Sequence, residues 1–146
     1  MGQSVTVSTG QQLFVDTDAS NVFVQDNEFQ PETLNNATGG ALNYPTGTVL
    51  GRVSASGKVV PFTSGASDGS QHPMGVLNEA KQAVAAGADV VCYACVGGYV
   101  DPAGLGFQGA DTLDTVISGK RVRDILVANT QIKLVPQTDL TKVDNS

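Results

Sequence analysis

Three short apolar runs separated by two turn-forming linkers fill the stretch from Gly47 to Leu77, and their spacing limits the fold more than any other feature. The runs are Val49-Leu50, Val59-Val60-Pro61-Phe62 and Met74 through Leu77. The linkers, Ser-Ala-Ser-Gly-Lys and Thr-Ser-Gly-Ala-Ser-Asp-Gly-Ser-Gln, are rich in residues that turn a chain. Gly reaches positive φ without steric cost, and Ser and Asp bond their own backbone. Apolar runs between such turns read as strands. The stretch therefore predicts a tight meander: strand, turn at Ser56-Gly57, strand, longer loop around Asp68-Gly69, strand.

The rest of the chain extends this mostly β reading. Asp89 to Tyr99 is its most strongly β segment, with Val90, Cys92, Ala94 and Val96 on one face and Val91, Tyr93 and Cys95 on the other. Both faces are apolar, which predicts a central strand buried on both sides, weakened at Gly97-Gly98 by a bulge or close approach. Asn78 to Ala88 suits a short helix capped by Asn78 and Gly87, or a loop between strands. Leu113, Val116 and Ile117 recur at i, i+3, i+4, as do Val122, Ile125 and Leu126, so each set predicts a helix face, with Asp111 capping the first and Ser118-Gly119 breaking between them. Ile132, Leu134 and Val135 predict a closing strand before Pro136, followed by a polar tail from Gln137 to Ser146.

The N-terminal third differs. Val5 and Val7 alternate with polar residues, and Leu13-Phe14-Val15 and Val22-Phe23-Val24 are further β-type runs, followed by a turn-rich segment through Asn35 to Gly40. Residues 1–46 are either ordinary strands of the same domain or an extended arm that adds strands to a neighbour's sheet edge. The division expected is thus an N-terminal arm or extra strands over 1–46, a β domain over 47–136 and a tail over 137–146.

A chain of 146 residues holds one domain, and its 40% apolar content is enough for a core. Charged residues make up only 15%, well under the usual ~25%, which suits a surface largely covered in use. The net charge is −6, and the first fifty-one residues hold neither Lys nor Arg, so direct nucleic-acid binding is not expected. The clustered Lys120, Arg121 and Arg123 read as a solvated helix face. No run reaches the eighteen or more apolar residues that span a bilayer, and the N-terminus lacks a secretory pattern. Met1 to Thr6 fits an N-myristoylation pattern and Asn36-Ala37-Thr38 a glycosylation sequon, both short enough to arise by chance.

Four patterns touch on chemistry. Cys92-Tyr93-Ala94-Cys95 is a C-x-x-C, but within a strand positions three apart face opposite sides and no second pair completes a zinc site, so both thiols read as small buried hydrophobes. Gly104-Leu105-Gly106-Phe107-Gln108-Gly109 satisfies G-x-G-x-x-G, although Asp101-Pro102-Ala103 separates it from the strand and too little chain follows for a dinucleotide fold. Asp16-x-Asp18-x-Ser20 resembles the start of a calcium loop, yet the sixth and twelfth positions are Asn21 and Asn27 where Gly and Glu belong. His72, the single histidine, precedes Pro73 in a loop and reads as a loop or interface residue. No catalytic, cofactor or metal-binding residues are assigned.

The letters Gly-Thr-Val-Leu-Gly-Arg-Val, Ser-Gly-Lys-Val-Val-Pro-Phe, Ala-Ser-Asp-Gly-Ser-Gln and Gly-Val-Leu, over roughly residues 40–136, resemble the core of the lambda-type head decoration proteins of tailed phages. The resemblance implies a compact β-barrel-like (β-tulip-type) domain with one or two short helices. It further implies a homotrimer on the outer surface of the expanded capsid, bound to the major capsid protein and bracing it, without catalysis, nucleic acid or membrane. Such a protein is made in the host cytoplasm and ends in the virion. Family members have an N-terminal segment that orders on the capsid. Two alternatives stand beside this: a small nucleotide- or ligand-binding domain using the Gly104–Gly109 loop, and another virion β domain associated with tail or fibre.

Overall fold

A computed structural model of the chain describes residues 22–136. Their elements are, in order, β1 Phe23–Asn35, β2 Leu42–Tyr44, β3 Val49–Arg52, β4 Val59–Pro61, β5 Pro73–Leu77, β6 Lys81–Val84, β7 Asp89–Val100, β8 Val116–Ile117, β9 Lys120–Arg121, α1 Val122–Asn129 and β10 Gln131–Leu134. The Val5-Val7 and Leu13–Val15 runs, the Asp16–Ser20 pattern, the N-terminal Met-Gly motif and the tail from Gln137 lie outside the described residues.

Five strands close into a barrel in the order β1-β4-β3-β5-β7, with β7 pairing back to β1 and β10 lying beside β7. Closure removes the free edges that an open sheet of this size would leave. Its interior takes one buried side chain or more from every barrel strand: Leu34, Leu50, Val59, Leu77, Cys92 and Ala94, joined by Tyr44 and Val84 from the β2–β6 ribbon. Burying a Leu or Val completely stabilises the fold by roughly 1.5–3 kcal/mol, so these positions dominate the core. A second cluster lies outside the barrel wall, where Val22, Val76, Cys95 and Val100 meet Leu126 of α1 and Ile132 of β10. A third unites Val49, Phe62 and Val122, with Phe107 edge-on to Phe62 at 6.0 Å.

The three strands from Gly47 to Leu77 are present, but they are not a meander. The 49–52 strand pairs with both others, Leu50 opposite Pro61 on one side and Val49 opposite Val76 on the other, so the spatial order is β4-β3-β5. The long loop makes that crossing, because it folds back over β3. There Asp68 accepts from the Ser70 amide and hydroxyl, and the Ser54 amide donates to the Asp68 carbonyl. Gly51 lies directly beneath it: a β-carbon there would come within 2.8 Å of the Ser70 backbone.

Residues 78–88 hold a strand, not a helix. Ala83 has a positive φ of 51° and donates its amide to Asn43 Oδ1, and Val84 is drawn into the barrel interior. One large apolar anchor in eleven residues cannot bury a helix face, whereas a short ribbon strand needs only one. Leu113, Val116 and Ile117 do not form a helix either. Ser118 and Gly119, at φ 51° and 83°, make the two-residue turn of the β8–β9 hairpin, and Thr112 and Thr115 satisfy local amides. The second set, Val122, Ile125 and Leu126, does lie in α1, with Val122 and Leu126 buried.

Strand β7 is central, as its composition predicts, but it is not buried on both sides. Cys92 and Ala94 point into the barrel, while outside it only Cys95 onward is covered by the second cluster. Val91 and Tyr93 remain bare because β10 pairs beside the strand only from Gly97 and the cluster with Leu126 of α1 begins only at Cys95.

Candidate functional site

Two surfaces stand out once the barrel is assembled. The first is the uncovered outer wall. β1 and β7 run antiparallel with Pro31 opposite Tyr93 and Thr33 opposite Val91, and opposite residues share a face. Val91 is 66% exposed, Tyr93 48% and Phe29 41%, and Phe29 leans edge-on against Phe23 at 5.3 Å. With Pro31 these side chains form an apolar strip that carries no charge. Contiguous exposed apolar surface on a small protein marks a place of contact.

The second is the seam where β1 meets β4. A single register pair, Leu34 opposite Val59, joins them. Charge and amide contacts close the rest. Arg52 donates to both carboxylate oxygens of Glu32 at 2.8 Å and to the Gly57 carbonyl at 2.8 Å, and Gln30 donates to Glu32 at 2.6 Å. Lys58 meets Asp89 at 2.8 Å, and Asn35 donates to the same carboxylate. The Arg52 guanidinium holds the Glu32 carboxyl below its ordinary range despite partial burial, and Glu32 in turn raises Arg52. The Asp89 carboxyl is likewise lowered, first by Lys58 and then by Asn35.

Comparison with known proteins places the chain in a family. The model of the family described as bacteriophage lambda head decoration protein D matches residues 16–116. The chain belongs to that family. No curated protein matches it. Membership in a head decoration family makes the chain a structural protein of the phage capsid, located at the capsid surface.

In this decoration protein the residues singled out from sequence are dispersed. Cys92 lies in the barrel interior and Cys95 in the outer cluster, so the two thiols do face opposite sides of one strand. Both are free and buried, and burial pushes both thiols up; Cys95 donates to the Gly97 carbonyl at 3.2 Å. His72 is exposed before β5, its amide donating to the Gly69 carbonyl. The Gly104–Gly109 loop begins with a 3-10 turn at Pro102–Gly104 and pairs with the start of β3: Gly106 donates to the Gly47 carbonyl and accepts from the Val49 amide. Gly106 is thus engaged by the barrel, the Gly104 and Leu105 amides bond back to Asp101 and Pro102, and the next helix begins only at Val122. An open depression of about 370 Å³ flanks it, lined by Pro45, Thr48, Leu105 and Phe107 among others.

Asn36 of the sequon is fully buried and donates to the carbonyls of Gly40 and Val84. Of the clustered bases, Arg123 meets Asp114 at 3.1 Å, and Lys120 and Arg121 form the exposed β9 strand. Among the described residues no three His, Cys, Asp or Glu side chains converge as a metal site, and no helix is long and apolar enough to cross a membrane.

Sequence reasoning missed the seam. The pairing of Glu32 with Arg52 spans twenty residues and has no local signature. The prolines within β1 and β4 were the available signal, because a ladder accepts proline only where its nitrogen faces away from the partner strand.

Proposed function

We propose that this chain assembles as a homotrimer on the outer surface of the expanded phage head, binds the major capsid protein there, and stabilises the shell. The observation that carries the reading is the family match over residues 16–116. The uncharged apolar strip of Phe29, Pro31, Val91 and Tyr93 supports it, as surface suited to cover by a neighbour. On this reading the residues ahead of β1 act as the arm, reaching from the barrel to the capsid.

The mechanism is thermodynamic. A protein that binds only the expanded lattice shifts the equilibrium toward it, by about 2.7 kcal/mol per site when its free concentration is 100-fold above Kd. A trimer bound to several capsid subunits gains further, because its second and third contacts are intramolecular. Each contact can then be modest, on the order of 800 Å² per partner or less. The test mixes purified protein with undecorated heads, expanded and unexpanded, and follows binding by sedimentation and the heads by calorimetry. Saturable binding to expanded heads with a raised melting temperature is expected. Equal binding to both forms, or to neither, contradicts the proposal.

A further inference from the structure

We propose that the barrel is built to open along the β1–β4 seam ahead of global unfolding, with the Glu32–Arg52 pair as the latch. The seam is the joint of the barrel with the least main-chain pairing, a single register pair. Pro31 lies opposite Tyr93, whose carbonyl is taken by the Asn78 amide on the far side, so the Pro31 nitrogen points away from β7, toward the β3–β4 turn. Pro61 lies opposite Leu50 in the β3–β4 ladder, so its nitrogen faces β1. Each strand thus has one position on its facing edge without a donor, and because β1 ends at Asn35 while β4 begins only at Val59, the ladder is confined to Leu34 and Val59. The other joints share more: β1 and β7 ten register pairs, β3 and β4 three, β3 and β5 three, and β5 and β7 two.

Side chains close what the backbone leaves apart. Glu32 of β1 reaches past β4 to Arg52 of β3, and Lys58 at the start of β4 reaches Asp89 of β7. The Arg52 bond to the Gly57 carbonyl ties the β3–β4 turn into the same latch. Releasing these contacts turns the barrel into a curved sheet still joined through β3, β5 and β7. The step exposes Leu34 and Val59 but leaves the outer cluster of Val76, Cys95, Leu126 and Ile132 intact.

Native-state hydrogen exchange on the full chain tests this. The seam reporters are the amides of Asn35 and Val59, which by the same alternation as Pro31 and Pro61 face across it; the core reporters are those of Val76 and Ala94. Subglobal opening predicts that the seam amides exchange at least about 100-fold faster than the core ones in the wild type. Glu32→Gln, which keeps the shape and removes the charge, is expected to accelerate the seam amides about 10- to 100-fold. Ile132→Val, which loosens only the outer cluster, should leave them unchanged within about twofold. If Glu32→Gln does not fold, the wild type at about 1 M and about 0.05 M salt replaces it, with faster seam exchange expected at high salt. Seam and core amides exchanging at one common rate overturns the proposal. So does a seam rate indifferent to both Glu32→Gln and salt.

Discussion

Replacing Gly98 by Ala tests how β1 and β7 are held together. Gly98 has φ of +92°, a conformation that costs an L-residue roughly 1–2 kcal/mol. A β-carbon there would also lie 2.6 Å from Asn27 Cα, a backbone atom that no rotamer change can move aside. The two strands must separate locally, and the Asn27 side-chain amide then loses its bonds to the Tyr99 carbonyl at 3.0 Å and the Gly97 carbonyl at 3.4 Å. At about 0.5–1.5 kcal/mol per bond, the total reaches roughly 2–5 kcal/mol. Gly87→Ala is the control, since Gly87 has φ of +74° but a β-carbon added there would meet nothing within 4 Å, so it carries the conformational cost alone, roughly 1–2 kcal/mol. Urea denaturation followed by circular dichroism measures both. Gly98→Ala should lose about 1–3 kcal/mol more than Gly87→Ala. Equal losses would show that the close approach of the strands contributes nothing, and the reasoning would fail.

The Glu32 carboxyl is lowered in the fold, so its stabilisation is fully present above the ordinary value of 4.5 and is lost as pH falls through the lower folded value. The stability gap between wild type and Glu32→Gln should therefore be widest near neutrality and close in acid; a gap independent of pH would remove Arg52 as the cause. Asp68 and Asp89 are lowered in the same direction, so the variant should keep part of the wild-type acid sensitivity. Thiol reagents should modify Cys92 and Cys95 in the native protein at under about 1% of the rate in denaturant, because both sulfurs are buried; prompt native labelling would contradict their placement. Leu34→Ala should cost about 2–5 kcal/mol in urea denaturation, and a loss under about 1 kcal/mol would deny Leu34 its interior position.

Much of the fold is legible wherever a local pattern is enough. The runs at Val49, Val59, Met74, Val90 and Ile132 become strands, and the i, i+3, i+4 set at Val122 becomes α1. Pattern alone fails where two readings share the same letters. Leu113, Val116 and Ile117 have helical spacing, but the Ser118-Gly119 turn and the Thr side chains settle them as a hairpin. Order in space is another matter: that β3 lies between β4 and β5 depends on Gly51 meeting the Ser70 backbone, a contact nineteen residues apart. The bare outer face of Val91 and Tyr93 was invisible for a similar reason. An apolar strand face shows what could be covered, not how far α1 and β10 reach.

The family was legible because its letters are structural: the Gly-x-Val-Leu-Gly and Asp-Gly-Ser segments are the ones that meet over β3. The surfaces that could do its work were not, since neither the Phe29–Tyr93 strip nor the Glu32–Arg52 seam has a motif.

The most direct measurement of the central claim is the binding isotherm of the purified protein on undecorated expanded heads, with unexpanded heads alongside. Saturation at a fixed number of trimers per expanded head, together with a higher melting temperature and no binding to the unexpanded form, is the predicted result. A monomer that binds neither form, or binding that leaves head stability unchanged, would contradict it.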